Sequence, residues 1–186
     1  GKAREIGRFL AGLPFEVIGL AEVLPGLSYR ERGKTFLENA RGKSLYYGRK
    51  SGLLTLAEDS GLEVDALAGA PGVRSARFAP TTEERNARLL GLLESVPDAR
   101  RTARFVCALA LVRPDGFEWT TEGTVEGVIT HAPSGASGFG YDPLFLYPPL
   151  GRTFAEIPLE EKNKISHRGK ALEEFRRAVN TRHILE

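Results

Sequence analysis

Residues 104–121 read RFVCALALVRPDGFEWTT, and their pattern decides the fold class. From Arg104 to Val112 the run is apolar at odd and even positions alike, which suits a central strand buried on both faces. Pro114-Asp115-Gly116 supplies a turn, and Phe117, Trp119 and Thr121 alternate on the return, so the segment reads as a hairpin that Val125–Thr130 extends. Helical patterns lie on both sides of this hairpin in the sequence. A two-faced strand, a hairpin and interspersed helices predict an α/β fold with a mixed β-sheet.

Upstream, Ile6, Phe9, Leu10 and Leu13 recur at i, i+3, i+4 and i+7, an amphipathic helix that Pro14 closes. Phe15–Leu20 reads as a short strand. Thr35 followed by Glu38 fits a capping box opening a helix with Phe36, Ala40 and Tyr47 on its inner face, and Gly48–Gly52 ends it. Leu53–Ala57 reads as a buried strand running into a polar break at Glu58-Asp59-Ser60-Gly61. Thr81 with Glu84 caps a further helix whose Leu89, Leu90, Leu92 and Leu93 turn inward. Downstream come a short strand near Leu144–Leu146 and a proline-rich connector. A last helix starts near Ser166 and buries Ala171, Leu172, Phe175, Ala178 and Val179.

With 186 residues, 41% hydrophobic and 27% charged, the chain fits one soluble globular domain, 1–186, with no linker composition to divide it. Cys107 is the one cysteine, which excludes an internal disulfide and a cysteine-rich metal site. A net charge of +2, evenly interleaved, argues against a nucleic-acid partner. No apolar run has the roughly 18–20 residues of a membrane span, and no signal peptide is visible, so the expected location is the cytoplasm and no membrane partner is expected. Methionine is absent and arginine exceeds lysine, a bias that suits a thermophile or a GC-rich genome.

Three stretches carry candidate chemistry. Glu58-Asp59 falls at the carboxyl end of a strand, where open α/β sheets place their sites. A turn at Ser60-Gly61 would bring both carboxylates to one edge, and such oxygens suit Mg²⁺. Taken alone, the dipeptide reads more simply as a solvated acidic turn. Glu31 and Glu38 are further acidic candidates, Glu38 with a competing job in the capping box. Lys43 can reach a phosphate from the helix opened by Thr35, though a solvated surface lysine is its simpler reading. The loop Ser134–Pro143 has three glycines within six residues, then Phe139 and Tyr141 to stack on a base, and Asp142 to accept from a base edge or a cation; a plain turn is its simpler reading. In Ser166-His167-Arg168, a serine N-cap, the helix dipole and two cationic side chains make an anion or carbonyl site, with Lys162 and Lys164 adding positive charge. A hydrolase triad is discounted, because no G-x-S-x-G elbow exists.

Together these segments resemble the inosine triphosphate pyrophosphatase family. The resemblance rests on Thr35-Phe36-Leu37-Glu38-Asn39-Ala40 with Lys43, on Glu58-Asp59-Ser60-Gly61-Leu62-Glu63-Val64-Asp65-Ala66-Leu67, and on Gly69-Ala70-Pro71-Gly72 with Ser75-Ala76-Arg77-Phe78. Gly138-Phe139-Gly140-Tyr141-Asp142-Pro143 with Phe145, and Ser166-His167-Arg168, complete it in family order. It implies a two-lobed α/β fold around a long mixed sheet with flanking helices and a cleft between the lobes, usually in a homodimer. It also implies Mg²⁺-dependent hydrolysis of ITP, dITP or XTP to the monophosphate and pyrophosphate, keeping these nucleotides out of DNA and RNA. By motif position, Asp59 becomes general base and metal ligand, with Glu31 and Glu58 as further metal ligands. Gly1, Lys2, Lys43, Ser60, Phe139, Gly140, Tyr141, Asp142, Lys162, His167 and Arg168 become substrate contacts.

Two departures stand out. The family usually has two aspartates where this chain has Glu58-Asp59. The family also opens with a buried strand and a phosphate loop, of which only Gly1-Lys2 is present. The expectation is that the sequence begins after that strand, with Lys2 as the loop's phosphate-binding lysine. Two rival readings remain: a pyrophosphatase for modified pyrimidine nucleotides, as in the Maf-like group, and a nucleotide- or RNA-binding module without catalysis that uses Phe139 and Tyr141 as a stacking platform.

Overall fold

The computed structural model describes residues 2–181 and 184, with residues 2–5 described in backbone alone. Gly1 and the Lys2 side chain, both assigned above to substrate binding, lie outside the described residues. The helices are α1 (Lys2–Phe9), α2 (Leu20–Val23), α3 (Phe36–Ser51), α4 (Thr82–Leu92), α5 (Leu159–Ile165) and α6 (His167–Thr181). The strands are β1 (Thr55–Val64), β2 (Thr102–Val112), β3 (Glu118–Ile129), β4 (Phe145–Tyr147) and β5 (Arg152–Thr153).

The strands form one five-stranded sheet in the order β1-β2-β3-β4-β5. The hairpin read from residues 104–121 is β2–β3, closed by Arg113 N donating to Phe117 O at 2.9 Å and Gly116 N donating to Arg113 O at 3.0 Å. As expected of a strand covered on both faces, β2 is buried at every position from Phe105 to Val112. Strand β4 pairs antiparallel with β3 through Val128–Leu146 and Ile129–Phe145, and β5 pairs antiparallel with β4. The α/β class with flanking helices holds. The described strands form an antiparallel sheet rather than a mixed one: β4 pairs antiparallel with β3 and β5 with β4, and the short Arg113–Phe117 connection can join β2 and β3 only as antiparallel neighbours.

The chain divides into two compact units. One comprises residues 1–59, 108–122 and 171–186, the other residues 60–107 and 123–170. In the first unit Phe175 packs its ring 5.5 Å from Trp119 and 6.3 Å from Phe15, and Ala171, Leu172 and Ala178 are buried beside it in sequence on α6. The core of the second unit gathers Leu62, Val64, Leu89, Leu93, Phe105, Ile129, Leu144, Phe145 and Phe154. Each such side chain contributes roughly 1.5–3 kcal/mol relative to exposure. Arg101, 1% exposed, is held there by backbone carbonyls, donating to Ile129 O, Leu93 O and Thr130 O. It fastens the segment before β2 to the end of β3.

Local signals fixed the helix ends. Thr35 Oγ1 accepts from Glu38 N at 3.1 Å, while Glu38 reaches back to Lys34 N at 2.7 Å, one residue beyond a strict capping box. Gly52, at φ +68°, ends α3 in the left-handed conformation. Thr81 and Glu84 form the expected box at the start of α4. Leu89 and Leu93 are inward, but Leu92 is 49% exposed, since i, i+4 partners share a face and i+3 falls at its margin here.

Two expectations fail. Phe15–Leu20 is not a strand: residues 16–19 belong to no element and Leu20 opens α2. Nor is Glu58-Asp59-Ser60-Gly61 a turn, for β1 runs through all four residues to Val64. No helix among the described residues is long and apolar enough to cross a membrane.

Candidate active site

The continuity of β1 determines what its two carboxylates can do. Successive side chains on a strand point to opposite faces, so Glu58 and Asp59 part company. Glu58 lines a largely apolar hollow of about 420 Å³ with Phe15, Val17, Ile18, Leu54, Leu111 and Phe175. Asp59 turns to α3, where Asn39 Nδ2 donates to its Oδ2 at 3.0 Å and Lys43 Nζ lies 3.5 Å from its Oδ1. The expected Glu58/Asp59 ligand pair is therefore corrected.

The partner of Asp59 is Glu31 instead. Lys43 Nζ donates to Glu31 Oε1 at 2.8 Å, so one ammonium joins the two carboxylates. Asn39 closes the cluster from the other side: its Oδ1 accepts from Gly33 N at 2.8 Å, two residues after Glu31, while its amide nitrogen holds Asp59. Asn39 is 1% exposed, and both of its hydrogen-bonding ends are used. Sequence reasoning quoted Asn39 within a motif without giving it a role. The available signal was its i, i+4 spacing to Lys43, which puts two polar side chains on one face of α3 beside buried Phe36 and Ala40.

Burial pushes the Asp59 carboxyl above the ordinary aspartate range. The Lys43 charge and the Asn39 hydrogen bond pull it down, the Glu31 charge pushes it up, and burial prevails. Asp59 is thus a stronger base than a solvated aspartate. Among the described residues no three His, Cys, Asp or Glu side chains converge. A metal here would have two carboxylates, Glu31 and Asp59, which fits Mg²⁺, an ion that takes one or two protein carboxylates and fills its shell with phosphate oxygens and water. The Lys43 ammonium between the two carboxylates is an observation in favour: the pair already accommodates a cation.

The second unit holds the other cluster. Asp142, 2% exposed, accepts at Oδ2 from Phe139 N at 2.9 Å and from Lys162 Nζ at 2.5 Å. Lys162 is itself 6% exposed, so this is a buried ion pair. Gly138, at φ +76°, permits it, since a Cβ there would strike the Asp142 carboxylate. The ring of Phe139 is 52% exposed, with Lys162 Nζ 4.9 Å and Arg168 Cζ 5.3 Å from its centroid. An exposed ring of this kind can stack against a planar heterocycle.

Helix α6 positions the rest. Ser166 Oγ accepts from Gly169 N at 3.1 Å, capping the helix as expected and placing His167 and Arg168 in its first turn. His167 stacks on Phe105, with centroids 4.8 Å apart and planes 13° apart, which fixes its ring plane. Asn86 on α4 donates to Gly140 O at 3.2 Å, a tether for the loop that the sequence did not announce.

Tyr141 departs from expectation. It is 5% exposed and its hydroxyl donates to Ser75 O at 2.8 Å. Burial pushes its pKa up to about 12. Its ring anchors the loop and is not exposed for stacking. Ser75 in turn accepts at Oγ from Leu62 N at 2.9 Å, tying the loop's anchor to β1. Ser60 lies in β1 beside Asp59 in sequence. The predicted residues thus fall into two groups: Glu31, Lys43 and Asp59 with Asn39 in one unit, and Phe139, Gly140, Asp142, Lys162, His167 and Arg168 in the other.

Comparison with known proteins adds to this geometry. The model of the Ham1 family matches residues 1–178. The chain is 48% identical over 188 residues to a dITP/XTP pyrophosphatase of Desulforamulus reducens, covering 99% of this chain and 93% of that protein. It is 51% identical over 174 residues to a dITP/XTP pyrophosphatase of Thermus thermophilus, covering 92% and 84% respectively. Among solved structures, the Ham1 protein of Staphylococcus aureus superposes with a TM-score of 0.90 at 37% identity, over 97% of this chain and 93% of that one.

Proposed function

The chain belongs to the Ham1 family, and from that premise we propose that it is a nucleoside triphosphate pyrophosphatase. It hydrolyses ITP, dITP and XTP to the monophosphate and pyrophosphate, keeping non-standard purines out of DNA and RNA. The observation that carries this reading is the Glu31–Lys43–Asp59–Asn39 cluster, a partly buried, basic carboxylate with a second carboxylate and a cation beside it. A stacking module without catalysis has no use for it.

Asp59 accepts a proton from the water whose oxygen attacks the α-phosphorus. The bond from that phosphorus to the α–β bridging oxygen breaks, and pyrophosphate leaves with the electron pair. Asn39 keeps Asp59 Oδ2 engaged, so that Oδ1 faces the reaction. Lys43 donates to phosphate oxygens of the leaving pyrophosphate. Glu31 and Asp59 would hold Mg²⁺, which when bound supplies charge neutralisation at the phosphates. Positioning and charge stabilisation are most of what such chemistry needs.

The second cluster reads the base. Phe139 stacks on it, and donors at Lys162, His167, Arg168 and the helix N-terminus suit a 6-keto oxygen while opposing the 6-amino group of adenine. A donor left facing a donor rejects an analogue far more strongly than a missing methylene does. Cytoplasmic location and a homodimer complete the reading; sedimentation of the full chain tests the latter.

Asp59→Asn tests the assignment. The variant keeps an acceptor for Asn39 and loses the proton acceptor, so pyrophosphate release from ITP should fall by about 10²–10⁴-fold with an unchanged circular dichroism spectrum. Wild-type turnover in that variant would overturn it.

A further inference from the structure

Lys43 is placed for two tasks that exclude each other. Its Nζ lies 2.8 Å from Glu31 Oε1 and 3.5 Å from Asp59 Oδ1, and the three side chains are 17%, 18% and 13% exposed. The ammonium is thus shared between the two oxygen donors that the proposed metal would take. A divalent ion of the Mg²⁺ type needs carboxylate oxygens at about 2.0–2.1 Å. An ammonium held at hydrogen-bond distance from the same oxygens would then be only a few ångströms from a double positive charge, a strong repulsion in a site this shielded. The two cations therefore compete for the pair. Lysine suits the alternation, being a compact charge on a long flexible stem with no fixed fork of donors.

We propose that Lys43 is an internal counter-ion of the Glu31/Asp59 pair, which a divalent cation displaces, so that metal binding releases the ammonium to the phosphates of the substrate. The inference rests on reading this cluster as the metal site. Without metal, Lys43 offsets the repulsion between two shielded carboxylates and holds the Glu31 loop to α3, with Asn39 pinning the same loop at Gly33 N. With metal, the charge that held the pair moves to where negative charge develops on the leaving group. A nucleotide that offers the ammonium another anionic partner then raises the metal's affinity, and the metal raises the nucleotide's affinity by the same factor.

The test is metal binding by the full chain without nucleotide, with Mn²⁺ as probe and electron paramagnetic resonance of the free ion as readout. Lys43→Met, which removes the competitor, should bind Mn²⁺ about tenfold or more tightly than wild type. Lys43→Arg, which keeps the charge, should stay within about threefold. Equal or weaker binding by Lys43→Met, or no binding by either protein, overturns the proposal. A second measurement needs no variant: amine acetylation of wild-type Lys43, read by mass spectrometry against the exposed Lys50, should speed up about threefold or more as Mg²⁺ is added. An unchanged or slower rate overturns it as well. The functional reading fails separately, if ITP releases no pyrophosphate while Lys43→Met still binds metal more tightly.

Discussion

Asp142→Asn separates the stability role of the base-reading loop from its recognition role. Asp142 and Lys162 have side chains 3% and 7% exposed and share a hydrogen bond of 2.5 Å. Replacing the carboxylate with an amide leaves the ammonium buried without its counter-charge, which costs about 3–5 kcal/mol. At roughly 2–4 °C per kcal/mol for a chain of this size, the melting temperature should drop by about 6–20 °C. The double variant Asp142→Asn/Lys162→Met removes both charges of this buried pair. Its asparagine Oδ1 still accepts from Phe139 N, and only the amide N–H₂ lacks a partner, at about 1–3 kcal/mol. Calorimetry should therefore place the double variant above the single one in stability. KM for ITP should remain raised in both, because the Lys162 cation over Phe139 is displaced in one and absent in the other. A single variant within about 1 kcal/mol of wild type, or a double variant less stable than the single, would refute the buried-pair argument.

Two further predictions concern pH. Because burial raises the folded-state pKa of Asp59, the folded metal-free protein holds that proton more tightly than the unfolded chain. Stability in chelator should thus decline as pH rises from the ordinary aspartate value through the raised one, and Asp59→Asn should lack that decline when the two urea-denaturation series are compared. Tyr141, pushed from 10.0 up to about 12, should show a phenolate transition near pH 12 in an absorbance titration, and Tyr141→Phe should lack it. Stability should fall between pH 10 and 12 as the unfolded chain loses that proton first, and Tyr141→Phe should remove this component.

What the sequence disclosed depended on whether the signal was local. Caps at Thr35, Thr81 and Ser166, the turn at Pro114-Asp115-Gly116 and the two-faced strand at β2 are decided by neighbours in the chain, and each is where its residues place it. Glu58-Asp59-Ser60-Gly61 misled because its composition is that of a turn. What extends it is tertiary: Asn39 and Lys43 engage Asp59, and Ser75 Oγ takes the Leu62 N–H. The same distance in sequence hid the tether of Tyr141 to Ser75 and turned an expected stacking ring into an anchor. Phe15–Leu20 has β-forming residues but no ladder partner among the described residues, and strand propensity without a partner does not make a strand. In the site, the Phe139 and Asp142 loop and the Ser166-His167-Arg168 turn stood out by their own composition, whereas Asp59 and Lys43 gained a role only from the family resemblance. Glu31 was expected beside Asp59 from the family resemblance alone; that Glu58 turns away was not legible, because it depends on which face of β1 meets α3.

The most direct test of the central claim is pyrophosphate release by the full chain with Mg²⁺ across ITP, XTP, GTP, ATP and dTTP. ITP and XTP should exceed ATP in kcat/KM by about 100-fold or more, with release lost in chelator. Preferential hydrolysis of dTTP, comparable rates on ATP and ITP, or nucleotide binding without release would contradict it.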